Sequence, residues 1–335
     1  MVPGSSTSSS RTADTSPEVS HPHTASPVSR VRSLLCTANV WAVNQGSRVV
    51  AVGNFDGVHL GHRSVLEAER GDGELAVITF WPHPLLVLRP ESAPKLLTDL
   101  EARIELLKDA GAHEVRVVRF DEKVAQLSPA EFVERFVAPL EPRVVVVGEN
   151  FRFGHRAAGD VETLMTLSQG RFEVRALALA TVAEQATCST LIRDALEVGD
   201  VALAAEHLGR WFRFSGLVVV GDQRGRELGF PTANLTVPSE MAVPADGVYA
   251  GWLTPQGGEP LPAAISVGSN PTFEGADRRV ESHVIDHTDL ELYGVRVDVD
   301  FVARLRGQVR FDGVEGLISQ MRTDVAECRR ILGVE

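Results

Sequence analysis

Residues 48–62, RVVAVGNFDGVHLGH, contain the pattern that decides the fold of the N-terminal half of the chain. The apolar, β-branched run ends at Gly53, and a turn containing glycine and histidine leads into a helical pattern that begins near Gly61. A strand followed by such a turn and a helix is typical of parallel α/β proteins, which bind ligands at the carboxyl ends of their strands. Because N–H groups at the start of a helix attract anions, the stretch predicts a phosphate site beside a parallel sheet.

Polar side chains in this turn leave alternatives open. His59 and His62 are three residues apart, and a pair with this spacing is more often structural than phosphate-binding when it occurs alone. The strand, glycine turn and helix around the pair are what favour phosphate binding. Asp56 fits two roles equally well, because a carboxylate can either ligate a metal or cap a turn.

The remainder of the N-terminal half repeats the alternation of strand and helix. Further strands are predicted at 74–80, 113–120, 143–151 and 171–177, and helices at 61–71, 97–111, 128–140 and 161–170. Ser128 followed by Glu131 indicates a capped helix start. Near-continuous apolar strands separated by helices predict a parallel sheet that is covered on both faces.

A different pattern begins near residue 212 and continues to about 307. Its strands are short and broken by Gly, Pro and Asn, with no room for crossover helices, which favours an antiparallel barrel or sandwich. Residues 314–332 have helical spacing and predict a closing helix. Helices predicted at 189–200 and 200–210 bridge the two halves.

Composition excludes several classes of protein. The 335 residues are 44% hydrophobic and 23% charged, which is typical of a globular protein with two domains. The net charge of -12 argues against a nucleic-acid partner, and the absence of a long apolar stretch or secretory signal predicts a cytoplasmic protein with no membrane partner. Cys36, Cys188 and Cys328 show no disulfide or zinc spacing.

The first 30 residues are rich in Ser, Thr and Pro and contain almost no large apolar residues. Such a segment cannot offset the entropy of ordering, so residues 1–30 are predicted to be a disordered tail. His21 and His23 in this tail are interpreted as incidental rather than metal-binding.

Four motifs in the N-terminal half resemble one family in their order. They are GNFDGVHLGH at 53–62, TFWPHP at 79–84, VVVGENFRFG at 145–154 and CSTLIRDAL at 188–196. The HLGH stretch resembles the HxGH sequence of nucleotidyltransferases, and the longer set resembles the adenylyltransferase half of prokaryotic bifunctional riboflavin kinase/FAD synthetases. The resemblance implies a Rossmann-like, nucleotidyltransferase-type α/β domain with a parallel sheet.

The resemblance also implies residue roles in this half. Catalytic roles fall on His59, His62 and Arg193, and the loop of Pro82, His83 and Pro84 resembles one on the flavin side. The implied ATP-binding residues are Gly53, Asn54, Phe55, Asp56, His59, His62, Asn150, Ser189, Thr190 and Arg193. We place the hydroxyls of Ser189 and Thr190 at a helix N-cap, where N–H groups would face an anion that Arg193 neutralises.

Three positions depart from the family's pattern. Trp81 stands where many relatives have an acidic residue, Cys188 replaces a common Ser, and Leu191 occupies a position that is often Arg. We expect the site to be active nonetheless, since the histidines and Arg193 remain. The phosphate of FMN, with a second pKa of about 6, is already an anion at neutral pH and needs no general base. Positioning and charge neutralisation should therefore dominate this reaction.

The C-terminal half matches the riboflavin kinase half of the same family. Its motifs are GDQRGRELGFPTANL at 221–235, SVGSNPTFEG at 266–275, VESHVIDH at 280–287 and LYG at 292–294. The glycine-rich stretch alone is more often a turn, and the PTAN sequence within it is what favours a nucleotide loop. The implied ATP-binding residues are Gly221, Gly225, Arg226, Gly229, Pro231, Thr232 and Asn234.

Chemistry in this half requires a base. Attack by a neutral ribityl hydroxyl on the γ-phosphate of ATP benefits from a carboxylate that takes its proton, and the resemblance assigns this role to Glu281. It assigns the metal to Thr232 and Asn234, whose oxygens suit magnesium, with manganese as the alternative. Arg306 is a candidate contact for flavin or phosphate.

The resemblance implies an FMN adenylyltransferase domain at 31–208 and a riboflavin kinase domain at 209–335, the second an all-β antiparallel barrel with a closing helix. Riboflavin, FMN and ATP are the expected partners, and self-association is left open. Two rivals are an enzyme with only kinase activity, because of Trp81 and Leu191, and a flavin-binding protein without turnover. A generic cytidylyltransferase would leave the C-terminal motifs unexplained.

Overall fold

The structure, a computed structural model, describes residues 48–68, 73–178, 181–182, 185–221, 224–272 and 275–334. The predicted tail at 1–30, with His21 and His23, lies outside the described residues, and so does Cys36.

A five-stranded sheet forms the N-terminal module. Its strands are β1 (Arg48–Val52), β2 (Glu74–Trp81), β3 (Glu114–Arg119), β4 (Val144–Gly148) and β5 (Glu173–Leu177). All neighbouring strands are parallel, and their spatial order is β3-β2-β1-β4-β5. The predicted parallel sheet is confirmed. The order reverses between β1 and β4, and the carboxyl ends of the strands at such a reversal are where parallel α/β sheets usually bind ligands.

The apolar run of β1 is explained by burial on both faces. Val49 and Ala51 pack in one core cluster with Leu66, whereas Val50 and Val52 belong to another cluster on the opposite face. Successive side chains of a strand point to opposite faces, so a strand in the middle of a covered sheet is apolar throughout.

Short helices connect these strands. They are α1 (Leu60–Ala68), α2 (Pro84–Leu88), α3 (Leu100–Asp109), α4 (Glu122–Ala125), α5 (Pro129–Phe132) and α6 (Val161–Ser168). The predicted capping box is present at the start of α5, where Ser128 and Glu131 exchange hydrogen bonds. After α5 the chain continues as a π-helix (Val133–Val137) and a 3-10 turn (Ala138–Leu140) rather than as one regular helix. Further short elements are 3-10 turns at Pro90–Ser92 and His155–Ala157 and the strand pair β6 (Thr181–Val182) and β7 (Gln185–Ala186).

The C-terminal module is a closed barrel of six strands. They are β8 (Phe212–Val219), β9 (Ala233–Thr236), β10 (Gly247–Pro255), β11 (Leu261–Thr272), β12 (Gly275–Val284) and β13 (Arg296–Arg306). Their order around the barrel is β10-β11-β12-β9-β8-β13, and every pair is antiparallel. The structure therefore selects the barrel over the sandwich, and buried residues such as Phe214, Leu235 and Phe301 fill its interior.

Four helices accompany the barrel: α7 (Ser189–Val198), α8 (Val201–Leu208), α9 (Arg224–Glu227) and α10 (Val314–Leu332). The predicted closing helix is α10, which packs on Ala250 and Ile285 through Cys328. Helices α7 and α8 contribute Ile192 and Leu208 to the same core cluster as the barrel strands. Residues Asn44–Glu335 accordingly form one compact unit.

Two of the three cysteines lie within the described ranges. Cys188 is half-buried and Cys328 is buried, and both are free thiols. Burial raises the pKa of Cys328 to about 12, so this thiol is unreactive. Among the residues that the structure describes, no group of three His, Cys, Asp or Glu is arranged to hold a metal. The helices of these ranges also include none long and apolar enough to cross a membrane.

Candidate active sites

The turn between β1 and α1 has an unusual backbone. Phe55, Gly57 and Val58 have positive φ angles of 51°, 84° and 39°. A left-handed conformation is disfavoured for a β-branched residue, so Val58 is held there by its surroundings. The turn brings His59 to the end of β1 and starts α1 at Leu60. The backbone of this turn is therefore built to place the two histidines.

His59 and His62 lie in direct contact. Their rings are stacked, with centroids 3.6 Å apart and planes inclined by 19°. The N–H of His62 donates to Nδ1 of His59 at 3.3 Å. Because Nδ1 accepts, a neutral His59 carries its proton on Nε2 and can donate a hydrogen bond there. Asn54 Oδ1 and His62 Nδ1 are buried without a protein partner among the described residues, so this site has polar atoms to offer a ligand.

Burial keeps these histidines uncharged. It lowers the pKa of His59 to about 4, and Asp56 opposes this while Arg210, Arg193 and His207 add to it. Burial and the neighbouring His59 also lower the pKa of His62 well below its usual value. Both rings are therefore neutral at pH 7 in the free protein, and cationic charge at this site comes from arginine.

Asp56 is the centre of a buried network. Its carboxylate is 2% exposed and accepts the N–H groups of Leu97 and Thr98 at 3.0–3.2 Å. It also accepts Nη2 of Arg103 at 2.9 Å and Nη2 of Arg193 at 2.6 Å. Every partner described is a hydrogen-bond donor, which is the environment of a structural carboxylate rather than of a metal ligand.

Helix α7 brings the CSTLIRDAL motif to the same place. Ser189 Oγ donates to the carbonyl of Asp56 at 2.9 Å, and Arg193 Nε donates to the carbonyl of Lys95 at 2.6 Å. The N-cap of α7 is Cys188, whose side chain makes no capping hydrogen bond. The expectation that Ser189 and Thr190 occupy the N-cap was wrong, because they are the first and second residues of the helix, and Ser189 uses its hydroxyl on the β1–α1 turn.

Arg103 is a residue that sequence reasoning missed. Its side chain is fully buried and donates to the carbonyls of Asn54 at 3.1 Å and Phe80 at 3.4 Å, at the ends of β1 and β2. Its guanidinium also lies over the ring of Trp81, 5.4 Å from the centroid. Trp81, one of the departures from the family's pattern, thus has a cation–π partner here. A single Arg in an amphipathic helix gives no signal in sequence that it points inward.

The predicted flavin-side loop and Asn150 lie near the same edge of the sheet. Pro82, His83 and Pro84 follow β2, and Nδ1 of His83 accepts the N–H of Leu85 at 3.1 Å as the N-cap of α2. Burial lowers the pKa of His83 to about 4, with Asp56 opposing and Arg193 contributing. Asn150 is exposed two residues after β4.

A cleft at one end of the barrel collects most of the predicted kinase nucleotide residues. It is partly open to solvent. Five predicted residues line it: Gly221, Arg226, Pro231, Thr232 and Asn234. Its other walls are largely apolar and include Val218, Val284, Leu290 and Leu292. Gly225 and Gly229 belong to the same loop but do not line the cleft, and the side chains of residues 222–224 lie outside the description.

Thr232 and Asn234 are held together. Nδ2 of Asn234 donates to Oγ1 of Thr232 at 3.1 Å and to the carbonyl of Thr232 at 3.2 Å. A Cβ atom on Gly221 would lie 2.5 Å from Oδ1 of Asn234, so only glycine allows this approach. With Nδ2 used as the donor, the amide oxygen and the threonine hydroxyl oxygen are the atoms left for a cation.

Glu281 lies beside this pair in the barrel wall. It is paired in register with Asn234 of β9 and with Ser266 of β11. The neighbouring Val280 and Ser282 are buried toward the interior, so strand alternation puts Glu281 on the opposite face. His283, two residues further on, contacts the carbonyl of Pro231 through Nδ1 at 2.9 Å and so supports the loop before Thr232.

Arg306 is engaged within the protein. Its guanidinium contacts both carboxylate oxygens of Asp324 at 2.6–3.2 Å and the carbonyl of Gly307 at 3.0 Å. These contacts join β13 to α10. The predicted contact of Arg306 with flavin or phosphate stays a prediction.

Comparison with known proteins identifies the family. A family model described as FAD synthetase matches residues 42–191, and one described as riboflavin kinase matches residues 208–332. A bifunctional riboflavin kinase/FMN adenylyltransferase of Bacillus subtilis (strain 168) is 34% identical over 295 residues, covering 85% of this chain and 93% of the relative. The chain belongs to the bifunctional riboflavin kinase/FMN adenylyltransferase family. Another member, from Escherichia coli (strain K12), is 33% identical over 303 residues, covering 88% of this chain and 96% of the relative.

A solved structure shares the two-module architecture of this bifunctional family member. The crystal structure of a Streptococcus pneumoniae protein described as a macrolide-efflux protein superposes with a TM-score of 0.76 and 31% identity. The superposition covers 86% of this chain and 95% of that chain. The match extends across both the parallel sheet and the barrel.

Proposed function

We propose that the two reactions of this bifunctional family take place at the two sites described above. The barrel module phosphorylates riboflavin to FMN with ATP, and the sheet module adenylylates FMN to FAD with a second ATP and releases pyrophosphate. The observation that carries this assignment is the match of each family model to one module. His59, Ser189 and Arg193 also meet at the β1–α1 turn, and five of the predicted nucleotide residues of the other half line the barrel cleft.

In adenylyl transfer, an oxygen of the FMN phosphate forms a bond to the α-phosphorus of ATP while the bond to the β-phosphate oxygen breaks. Nε2–H of His59 donates to a phosphate oxygen, and His62 lies against it to complete the contact. Arg193, fixed by Asp56, supplies positive charge. Preorganised donors and charge of this kind stabilise phosphoryl-group transfer without a general base.

In the kinase reaction, the ribityl hydroxyl forms a bond to the γ-phosphorus of ATP while the bond to the β-phosphate oxygen breaks and ADP leaves. Glu281 takes the hydroxyl proton, and its place beside Asn234 supports this role. Thr232 and Asn234 fit a magnesium or manganese ion, because the pair offers two hard oxygens after Nδ2 has been used internally. A bound cation would neutralise charge on the phosphate oxygens of ATP.

The remaining assignments are positional. The apolar walls of the barrel cleft support burial of the nucleotide's base beside the metal pair. Pro82, His83 and Pro84 are assigned to the flavin of FMN, since they follow β2, the strand next to β1 and its turn with the two histidines. We divide the modules at 208/209, where α8 ends before β8. The requirement for ATP supports a cytoplasmic location.

The test is to incubate the protein with riboflavin, ATP and Mg²⁺ and to separate the flavins over time. FMN should appear first and FAD should follow, and a chelator should stop FMN formation because the kinase site needs a cation. Accumulation of FMN without FAD would leave only the kinase assignment standing. Binding of riboflavin without any product would contradict both assignments.

A further inference from the structure

The end of α8 lies directly against the histidine turn. We call residues 57–62 the histidine turn and His207–Arg210 the supporting segment. A Cβ atom on Gly209 would lie 2.5 Å from Cδ2 of Leu60, so the backbone of Gly209 packs closely on that side chain. His207 Nδ1 contacts Thr187 Oγ1 at 3.0 Å, and the carbonyl of Thr187 borders Gly61. The supporting segment thus contacts the turn directly through Gly209 and indirectly, by way of Thr187, through His207.

Arg210 makes the polar contacts of this segment. Its Nη2 donates to the carbonyl of Gly57 at 2.7 Å, and its Nη1 donates to the carbonyls of Val58 and Leu208 at 3.3 Å. Gly57 and Val58 have positive φ angles, and they immediately precede His59. A conformation that Val58 disfavours persists only when its neighbours fix it, and Arg210 binds the two carbonyls concerned.

Arg210 forms no close ion pair with a carboxylate in the described part of the chain. Of the charged groups around it, Arg63 and Arg213 lower its pKa and Asp300 raises it. Burial lowers its pKa to about 10, so the guanidinium is still protonated at neutral pH. Hydrogen bonds from a charged donor to buried carbonyls are stronger than those between neutral groups, which suits a positioning role.

We propose that Arg210 is a positioning residue for adenylyl transfer: its guanidinium fixes the carbonyls of Gly57 and Val58 and thereby sets where His59 lies. It acts through the backbone of the turn and does not touch the substrate. Helix α8 packs in the core of the barrel, so Arg210 also ties the geometry of the first site to the second module. The inference rests on the proposed role of His59 at the nucleotide phosphates.

The experiment compares Arg210→Met, Arg210→Lys and the control Arg213→Met, with both reactions assayed on each preparation. Arg210→Met keeps a long apolar side chain but removes every donor, and it should lower kcat for FAD formation about 10- to 100-fold with little change in KM for FMN. Riboflavin phosphorylation should stay within about twofold, since the barrel cleft does not involve Arg210. Arg210→Lys should recover part of the loss, because an ammonium can still reach one carbonyl.

Arg213→Met is the control because Arg213 is a nearby arginine with an exposed side chain, and its partners are Asp298 and Asp300 of the barrel instead of the turn carbonyls. It should retain both activities. Unchanged kcat for FAD formation in Arg210→Met would overturn the proposal, as would a parallel fall of both activities or a rise in KM alone. His59→Asn separates the two levels of argument: if that variant makes FAD at the normal rate, the proposed role of His59 fails whatever Arg210 does.

Discussion

At the residue scale, the histidine turn is built around neutral rings. His59 is buried with its Nδ1 occupied by the N–H of His62, so in the proposed adenylyl transfer a phosphate would accept from Nε2–H of a neutral ring and not from an imidazolium. Arg193 provides the charge and Asp56 holds it in place. Division of hydrogen bonding and charge between different residues lets the site bind an anion without carrying buried charges on its histidines.

Lowering the pH should decrease the free energy of unfolding, because protonation of His59 is disfavoured in the folded protein. The folded-state pKa of His59 is about 4, below the ordinary value of 6.5, so the unfolded chain binds more protons between these values. Stability from this group is fully present above about pH 6.5 and is lost as the pH falls toward 4. We expect the free energy of unfolding, measured by urea denaturation, to decrease when the pH is lowered from 7 to 5. This decrease should be about 1–2 kcal/mol smaller in His59→Asn than in the wild type.

The matched control for that measurement is His113→Asn. His113 is exposed, and its Nδ1 also accepts a backbone N–H, that of Leu75. This variant replaces an exposed histidine and so controls for the substitution itself. Equal declines for His59→Asn and the wild type would contradict a neutral, buried His59.

Sequence could identify the site residues that have a motif, and it could not identify those that act through burial. His59, Ser189 and Arg193 were predicted, and the structure brings them to one place. Arg103 and Arg210 were missed, because a lone arginine in a helix or after one is usually solvated and only the packing shows that it points inward.

At the element scale, helix α7 begins at an N-cap residue that makes no side-chain hydrogen bond, so a substitution there can stabilise the protein. Cys188 has the extended backbone of an N-cap, with φ -144° and ψ 158°, but no side-chain hydrogen bond to the first turn. Serine is among the preferred N-cap residues because its hydroxyl accepts an N–H of that turn. Cys188→Ser should therefore raise the free energy of unfolding by about 0.5–1 kcal/mol, measured by urea denaturation.

Ser128→Ala provides the comparison for the opposite change, since it removes an existing capping box at α5. It should destabilise by about 1 kcal/mol. A Cys188→Ser variant that is no more stable than the wild type would show that the first turn of α7 is already satisfied in another way.

The strands and helices with strong apolar periodicity were predicted from the sequence. The elements against which they pack were not. All five parallel strands and the closing helix α10 were found from their apolar patterns. Helices α7 and α8 were predicted only as bridges, but they pack in the barrel core. Periodicity shows which face of a helix is buried and carries no information on what buries it. The π-helix at Val133–Val137 likewise has no signal in the pattern.

At the scale of the whole molecule, the first site is built against the second module. Leu96 exchanges backbone hydrogen bonds with the segment at 240–242, and the adjacent Leu97 donates its N–H to Asp56. Arg296 of β13 binds Asp99 at the start of α3. The β1–α1 turn, Arg193 and the barrel are thus linked by continuous contacts, although their chemistry belongs to different reactions.

Because the two reactions are assigned to different sites, a substitution in one site should impair one reaction and leave the other unchanged. Glu281→Gln removes the proposed base of the kinase and leaves the histidine turn intact, while His59→Asn removes a donor of the adenylyltransferase and leaves the barrel cleft intact. Each variant should be given riboflavin with ATP and Mg²⁺, and separately FMN with ATP and Mg²⁺, and FMN and FAD should be quantified.

The account predicts a crossed pattern in this measurement. Glu281→Gln should slow FMN formation about 10²- to 10⁴-fold and convert supplied FMN to FAD at the normal rate. His59→Asn should phosphorylate riboflavin normally and accumulate FMN. Normal phosphorylation by Glu281→Gln, or the loss of both reactions in either folded variant, would contradict the division of the two reactions between the two sites.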